Sequence, residues 1–269
     1  MDSLARVDDW PVDHVAAAVV TADGTTTHGP TDRAFRLASV TKPLVAVAAL
    51  LAVEEEAITL DEPAGPEGST VRHLLAHTSG LAFNEQKVMA EPGKRRLYSS
   101  AGFEVLADHI AERTGIAFPE YLDEAVCAPL GMTSTTLEGS AGHGATSTVD
   151  DLVLLARELL APSLLAPETL ADATSVQFPG LTGVLPGLGY QKPNDWGLGF
   201  ELRDHKSPHW TGADSSPSTF GHFGQSGTFL WVDPDVRAAS VVLTDRDFGD
   251  WAKEAWPPFT DAVLAEIRS

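Results

Sequence analysis

The chain has 269 residues, of which 43% are hydrophobic and 21% charged, an ordinary globular composition that excludes long disordered or coiled-coil regions. Its 38 acidic residues outnumber 18 basic ones, and the formal net charge of -20 argues against binding to nucleic acid or to an anionic membrane. The single cysteine, Cys127, excludes an intrachain disulfide and a cysteine-based zinc site.

The first elements along the chain are predicted to be a β-hairpin and a long apolar helix. The first nine residues lack the basic and apolar segments of a secretory signal. Residues 15–20 form an apolar run typical of a strand, and a turn at Ala22–Thr25 follows it. From Thr41 to Glu56 the pattern is helical, and its apolar stretch, 43–53, is well below the ~20 residues that a membrane span requires. The sequence therefore predicts a cytoplasmic protein without a transmembrane segment.

The middle of the chain is predicted to be helical and the last third mostly β-strand. Apolar residues three and four apart predict helices at Val71–Ala76, Gly102–Arg113, Pro119–Val126 and Thr148–Leu160. Short strands are predicted at Gly199–Leu202, Thr228–Val232 and Ala238–Thr244, before a final helix at Trp251–Ile267 with Pro257 and Pro258 near its start. This order predicts an α+β fold, an antiparallel sheet flanked by helices, with 1–60 and 146–269 as the sheet domain and 61–145 as a helical insertion.

Ser39 and Lys42 form an SxxK pair at the start of the first long helix. Side chains three residues apart share a helix face, so the Lys42 amine can lie beside the Ser39 hydroxyl. The helix N-terminus favours an alkoxide-like Ser39, and burial would lower the pKa of Lys42 towards that of a useful base. About one SxxK is expected by chance in a chain of this length, so the pair alone does not separate a nucleophile from a helix cap.

Two further motifs supply partners for this pair. Tyr98, followed by Ser99 and Ser100, precedes an amphipathic helix, and its phenolate could act as a general base beside Lys42. His222 and Gly224 lie directly before the predicted strand that begins at Thr228. Glycine lets a substrate approach the backbone closely, and an edge strand offers a free N–H for an oxyanion. Each motif in isolation is also compatible with a purely structural role.

Other candidate sites are weaker. His73 and His77 are spaced four apart like a zinc pair, but the glutamate of an HExxH motif is missing, so both are interpreted as structural. Ser79 and Ser226 lack the GxSxG frame of an α/β-hydrolase nucleophile. We predict no metal and no cofactor.

In this order the three motifs resemble the serine β-lactamase and penicillin-binding-protein superfamily, on its branch of class C β-lactamases, D-aminopeptidases and carboxylesterases. Further segments that look like this branch are Thr70–Leu81, Pro129–Met132, Ser147–Leu152, Trp196–Phe200 and Gly221–Pro234. The resemblance covers roughly residues 35–244. It implies that Ser39 attacks an acyl carbonyl, that Lys42 and Tyr98 shuttle its proton, and that an acyl-enzyme forms and is hydrolysed.

The resemblance also implies which residues bind substrate. The oxyanion donors map onto the backbone N–H groups of Ser39 and Gln225, the residue after Gly224. Ser100 stands where many relatives have an asparagine that binds the amide side chain of a β-lactam, which argues against efficient β-lactamase action. His222 replaces the lysine of many relatives, where it would hold a substrate carboxylate, less firmly than lysine, or tune Tyr98.

The sequence therefore predicts a serine hydrolase that acts on small-molecule esters or amides. One alternative is a D-Ala-D-Ala peptidase, a D-aminopeptidase or a weak β-lactamase. Another is a catalytically silent penicillin-binding-type sensor or scaffold, against which the joint presence of Ser39, Lys42 and Tyr98 argues. The oligomeric state stays open.

Overall fold

The structure of the chain, a computed structural model, describes residues 1–269. Its strands are β1 (Val15–Thr21), β2 (Gly24–His28), β3 (Phe35–Arg36), β4 (Thr136–Leu137), β5 (Ala145–Ser147), β6 (Gly183–Leu185), β7 (Gly189–Gln191), β8 (Glu201–Leu202), β9 (Phe220–Gly224), β10 (Thr228–Asp233) and β11 (Ala238–Thr244). Its helices are α1 (Thr41–Glu54), α2 (Val71–Leu75), α3 (Ser100–Thr114), α4 (Phe118–Leu122), α5 (Ala128–Leu130), α6 (Val149–Leu160), α7 (Pro167–Ala173) and α8 (Asp250–Ile267). Shorter turns of 3-10 helix lie at Asp2–Asp9 and Ala38–Val40, and a π-helical turn lies at Asp123–Cys127.

The main sheet is antiparallel and has six strands in the order β2-β1-β11-β10-β9-β8. β1 comes from the start of the chain and pairs with β11 from its end, with Val15 opposite Thr244. Alternate residues of β1 enter two separate hydrophobic cores, Ala16 and Ala18 in one and Ala17 and Val19 in the other. Because both faces of the sheet are covered, β1 is a continuous apolar run rather than an alternating one.

Helices cover the two faces of this sheet. The 3-10 turn Asp2–Asp9 and α8 pack together over one face, and α6 packs on β1, β10 and β11 from the other. Twelve of the fourteen residues of α1 are buried, which places this helix in the interior of the larger core. The fold therefore holds the N-terminal end of α1, which carries the SxxK motif, in a rigid packed setting.

The predicted α+β class, the opening hairpin and the strands at 228–244 are confirmed. Pro257 and Pro258 lie inside α8 and not near its start, because the helix begins at Asp250 and runs through them. The sequence patterns do not predict β9, the β6–β7 hairpin or α7. The Phe-Gly-His-Phe-Gly sequence of β9 has a turn-like composition, but pairing with β8 and β10 on both sides holds it extended. None of the helices combines the length and the apolar character needed to cross a bilayer.

Candidate active site

Ser39 lies in the 3-10 turn Ala38–Val40, which leads directly into α1. The residue before it, Ala38, has a φ of 45°, a left-handed conformation that is costly for a residue with a side chain. Backbone strain of this kind persists where surrounding contacts impose it, and it is common at functional sites. Lys42 follows one turn later, with its Nζ 3.3 Å from Ser39 Oγ.

The Lys42 side chain is completely buried. Its Nζ contacts three oxygens, Ser39 Oγ, Ser100 Oγ at 3.2 Å and the Gly142 carbonyl at 2.7 Å. No carboxylate forms an ion pair with it, and burial holds its pKa well below the usual lysine range, a shift that the charge of Glu104 opposes. A neutral amine can donate to Ser100 and Gly142 and still turn its lone pair towards Ser39.

The Tyr98 hydroxyl lies between Ser39 and His222. It is 2.7 Å from Ser39 Oγ and 3.3 Å from His222 Nε2. Burial raises the pKa of Tyr98 well above its usual value, so the resting group is a phenol that donates a hydrogen bond to Ser39. The sequence suggests a phenolate general base, whereas this environment favours a proton donor.

The Tyr98 ring is held from behind by the segment that starts α3. Ser99 caps this helix, because its Oγ accepts the Gly102 N–H at 2.9 Å. The Ser99 N–H donates to Nδ1 of the buried His77, whose ring stacks against that of Tyr98 at 4.6 Å between centroids. His77 is thus part of the core behind the site, in agreement with its interpretation as a structural residue.

His222 is buried on β9, and its environment fixes the proton on one ring nitrogen. Nδ1 lies 2.7 Å from the Phe223 carbonyl, which can only accept, so Nδ1 carries the hydrogen and Nε2 presents its lone pair to Tyr98. Burial lowers the pKa of His222 to about 3, so the ring is neutral at physiological pH. A neutral ring lacks the charge that electrostatic binding of a substrate carboxylate requires.

The hairpin after β9 is fastened to the segment before Ser39. Thr228 Oγ1 donates to the Leu37 carbonyl at 2.8 Å, and Ser226 Oγ donates to the Arg36 carbonyl at 2.6 Å. A Cβ on Gly224 would lie 2.3 Å from the Leu37 oxygen, so only glycine fits this approach. The hairpin thereby brings Gln225 to the cavity over Ser39, and no protein acceptor pairs with the Gln225 N–H.

Two connected cavities open at this cluster. A small one lies over Ser39, and its other lining residues include Tyr98, Trp196, Glu201, His222 and Gln225. A larger one of about 650 Å³ adjoins it, because Phe83, Tyr98 and Pro186 line both.

The structure brings Ser39, Lys42, Tyr98, His222, Gly224 and Gln225 together as the sequence predicts. Ser100 is predicted to bind substrate, and the structure places its buried hydroxyl against Lys42, outside the lining of both cavities. No sequence motif marks Glu201, a buried carboxylate that pairs with Lys206 and His209, because those residues approach it only in the folded chain.

Comparisons with known proteins cover almost the whole chain. The family model "Beta-lactamase" matches residues 13–265. A crystal structure of a beta-lactamase from Mycobacterium bovis is 61% identical, with a TM-score of 0.97 over 98% of this chain and 99% of that one. Simvastatin synthase from Aspergillus terreus shares the fold at 17% identity, with a TM-score of 0.82 over 99% and 98% of the two chains.

Curated relatives match over shorter stretches. Esterase EstB of Burkholderia gladioli is 47% identical over 66 residues, which cover 19% of this chain and 17% of the esterase. Penicillin-binding protein 4* of Bacillus subtilis is 28% identical over 138 residues, 39% of this chain and 31% of that protein. These alignments span about a third or less of the curated relatives.

Proposed function

The chain belongs to the beta-lactamase family of serine hydrolases, whose members include esterases and peptidases, and we propose that it hydrolyses small esters through an acyl-enzyme on Ser39. The observation that carries the proposal is the position of Ser39 Oγ. It lies 2.7 Å from a buried phenol and 3.3 Å from a buried amine that has no ion-pair partner. This is the arrangement that an activated nucleophile requires.

Acylation begins with the neutral Lys42 amine. Ser39 Oγ attacks the ester carbonyl carbon while its proton passes to Lys42 Nζ, which becomes an ammonium. The N–H groups of Ser39 and Gln225 stabilise the oxyanion. When the carbon–oxygen bond to the alcohol breaks, the leaving oxygen takes the Tyr98 hydroxyl proton. The acyl-enzyme then contains a Lys42 ammonium and a Tyr98 phenolate, which stabilise one another.

Deacylation restores both groups. The Tyr98 phenolate takes a proton from water, and the resulting hydroxide attacks the acyl carbon. Ser39 Oγ leaves and takes back a proton from the Lys42 ammonium, so the resting amine, phenol and serine hydroxyl are regenerated. His222 Nε2, which is 3.3 Å from the Tyr98 oxygen and unprotonated, is a second acceptor towards which the phenol proton can turn when it is not donated to Ser39. Each proton that enters this cycle also leaves it.

The lining of the small cavity and the placement of Ser100 favour esters over D-Ala-D-Ala peptides and β-lactams. Those substrates carry a carboxylate close to the scissile amide, and no lysine or arginine lines the cavity over Ser39. The neutral His222 does not replace that charge. Ser100 stands at the position where an asparagine would contact an amide side chain, and its hydroxyl accepts a hydrogen bond from Lys42.

Intact-mass analysis with a fluorophosphonate probe tests the nucleophile. We expect one adduct on the wild-type chain and none on Ser39→Ala. The rates on 4-nitrophenyl butyrate, a D-Ala-D-Ala peptide and a cephalosporin then rank the substrate classes, and we expect the ester to be fastest. A folded protein that forms no adduct would overturn the proposal and support a catalytically silent sensor or scaffold.

A further inference from the structure

The larger cavity is a groove between two loops that lead away from Ser39. One wall comes from residues 80–89, where Met89 N–H donates to the Gly80 carbonyl and closes the loop on itself. The other wall is the β6–β7 hairpin, in which Val184 lies opposite Tyr190. A volume of about 650 Å³ is in the range of pockets that enclose a small organic ligand.

A buried arginine builds the floor of this groove. The Arg96 guanidinium donates to the carbonyls of Gln177 at 2.7 Å, Phe178 at 3.1 Å and Asn194 at 3.0 Å, and also to that of Ala76. These bonds tie the segments around the groove to one another. The groove is therefore preformed, and four of the five N–H donors of its floor arginine are already engaged by backbone carbonyls.

The groove surface is apolar and unusually exposed for such side chains. Among its lining residues Phe83 is 49% exposed, Met89 59%, Val184 55% and Tyr190 65%. They account for four of the six large hydrophobic residues that the whole molecule exposes. A clustered apolar surface that leads from a nucleophile indicates a ligand with an apolar portion.

The charge of the groove is opposite to that of the molecule. The chain carries 38 acidic residues, yet none lines the groove. The remaining charged lining residue, Arg95, is exposed and forms no ion pair or hydrogen bond. A free guanidinium beside an apolar wall is suited to a carboxylate or phosphate group.

We propose that this groove binds the apolar portion of an anionic amphiphilic ester and that Arg95 pairs with its negative group. The inference rests on the proposed ester hydrolysis and narrows its substrate class. Because no cation lines the small cavity over Ser39, the negative group lies away from the scissile bond and towards Arg95. The ester carbonyl lies at Ser39, and the apolar portion passes between the two loops.

Calorimetric binding to the Ser39→Ala protein tests the charge preference without turnover. The probes are decanoate, decanamide and decyltrimethylammonium below their micellar concentrations. We expect decanoate to bind about fivefold more tightly than decanamide, the size of one exposed ion pair, and the cation to bind most weakly. Adding 0.5 M NaCl should reduce the difference. Decyl phosphate, compared with decanoate, identifies which anionic group fits better.

Variants assign the preference to Arg95. In the Ser39→Ala background, Arg95→Gln should remove the difference between decanoate and decanamide, whereas Arg95→Lys should keep most of it. Arg6→Gln is the matched control, because Arg6 is an exposed arginine in the turn Asp2–Asp9, which lies over the sheet face away from α1. Octanoate should bind about tenfold more weakly than decanoate if two methylenes are buried, and Met89→Ser should shrink that ratio.

The outcomes separate this inference from the proposed function. Equal binding of decanoate and decanamide, tighter binding of the cation, or an unchanged preference in Arg95→Gln would each overturn the inference. Full hydrolysis of 4-nitrophenyl butyrate by Ser39→Ala would instead overturn the catalytic proposal. With Ser39 intact, the control Arg6→Gln should hydrolyse that neutral short ester at the wild-type rate, and an unchanged thermal unfolding midpoint shows that Arg95→Gln folds.

Discussion

Replacement of Gly224 by alanine tests whether the hairpin after β9 positions the oxyanion donors. The added Cβ would lie 2.3 Å from the Leu37 carbonyl oxygen and 2.5 Å from Thr228 Oγ1. Carbon and oxygen do not approach closer than about 3 Å without a shift, so the two backbone segments must separate by roughly half an ångström or more. Leu37 is two residues before Ser39, and Gly224 directly precedes Gln225. The separation therefore acts on both N–H groups to which the proposed function assigns the oxyanion.

The expected loss follows from the geometry of these donors. Removal of one oxyanion donor costs a factor of about 100 to 1000 in kcat. Because both donors are displaced, we expect Gly224→Ala to lose at least about 100-fold in kcat on 4-nitrophenyl butyrate. Lys42 and Tyr98 lie outside this hairpin and can still activate Ser39 Oγ, so slow labelling by a fluorophosphonate should persist.

Gly102→Ala is the matched control for this experiment. Gly102 is also buried and close to the site, but its added Cβ would lie no nearer than 3.5 Å from any neighbour, an ordinary contact. Steady-state kinetics and thermal unfolding of both variants separate catalysis from stability. If Gly224→Ala kept kcat within a few-fold of wild type while remaining folded, the hairpin would not be positioning the oxyanion donors.

Three further predictions concern protonation and stability. The kcat/KM should rise with pH through the lowered pKa of Lys42, because only the neutral amine accepts the Ser39 proton. The His222→Gln variant should show the same rise of kcat/KM with pH, since the pKa of His222 is about 3. A kcat/KM that falls as pH rises through neutrality would contradict this assignment. Arg96→Lys should lower the free energy of unfolding by about 2–4 kcal/mol in urea denaturation, because a lysine amine cannot donate to all four carbonyls that Arg96 binds. An unchanged urea midpoint would show that these carbonyls do not require the guanidinium donors. Gly102→Ala should raise the unfolding free energy by about 0.4–1 kcal/mol in the same assay, because alanine restricts the unfolded chain, and a lower melting temperature would refute the fit of its Cβ.

The parts of the site that sequence reasoning predicts are those encoded locally. The three-residue spacing of Ser39 and Lys42 fixes their contact once α1 forms. Only the resemblance to the β-lactamase superfamily places Tyr98 and His222 beside Ser39 and Lys42. No local pattern can do so, because Tyr98 and His222 are 124 residues apart in the sequence. The order and type of the long helices also followed from apolar periodicity, because their buried faces repeat with the helical turn.

Features that depend on long-range packing could not be predicted in this way. The protonation states of Lys42, Tyr98 and His222 follow from burial, which a motif does not encode. The placement of Ser100 against Lys42 follows from how α3 packs near α1. The groove is made of irregular loops whose shape depends on the carbonyls gathered by Arg96.

The pairing of β1 with β11 has a consequence for how the chain is made. During synthesis β1 and β2 can form a hairpin early, but the other edge of β1 has no partner until β11, close to the end of the sequence, has emerged. The middle of the sheet is thus completed late, and until then an apolar strand edge is open to pairing with other chains. A ribosome that stopped before residue 238 would release a protein with Ser39, Lys42, Tyr98 and His222 all present but with no sheet centre to hold them.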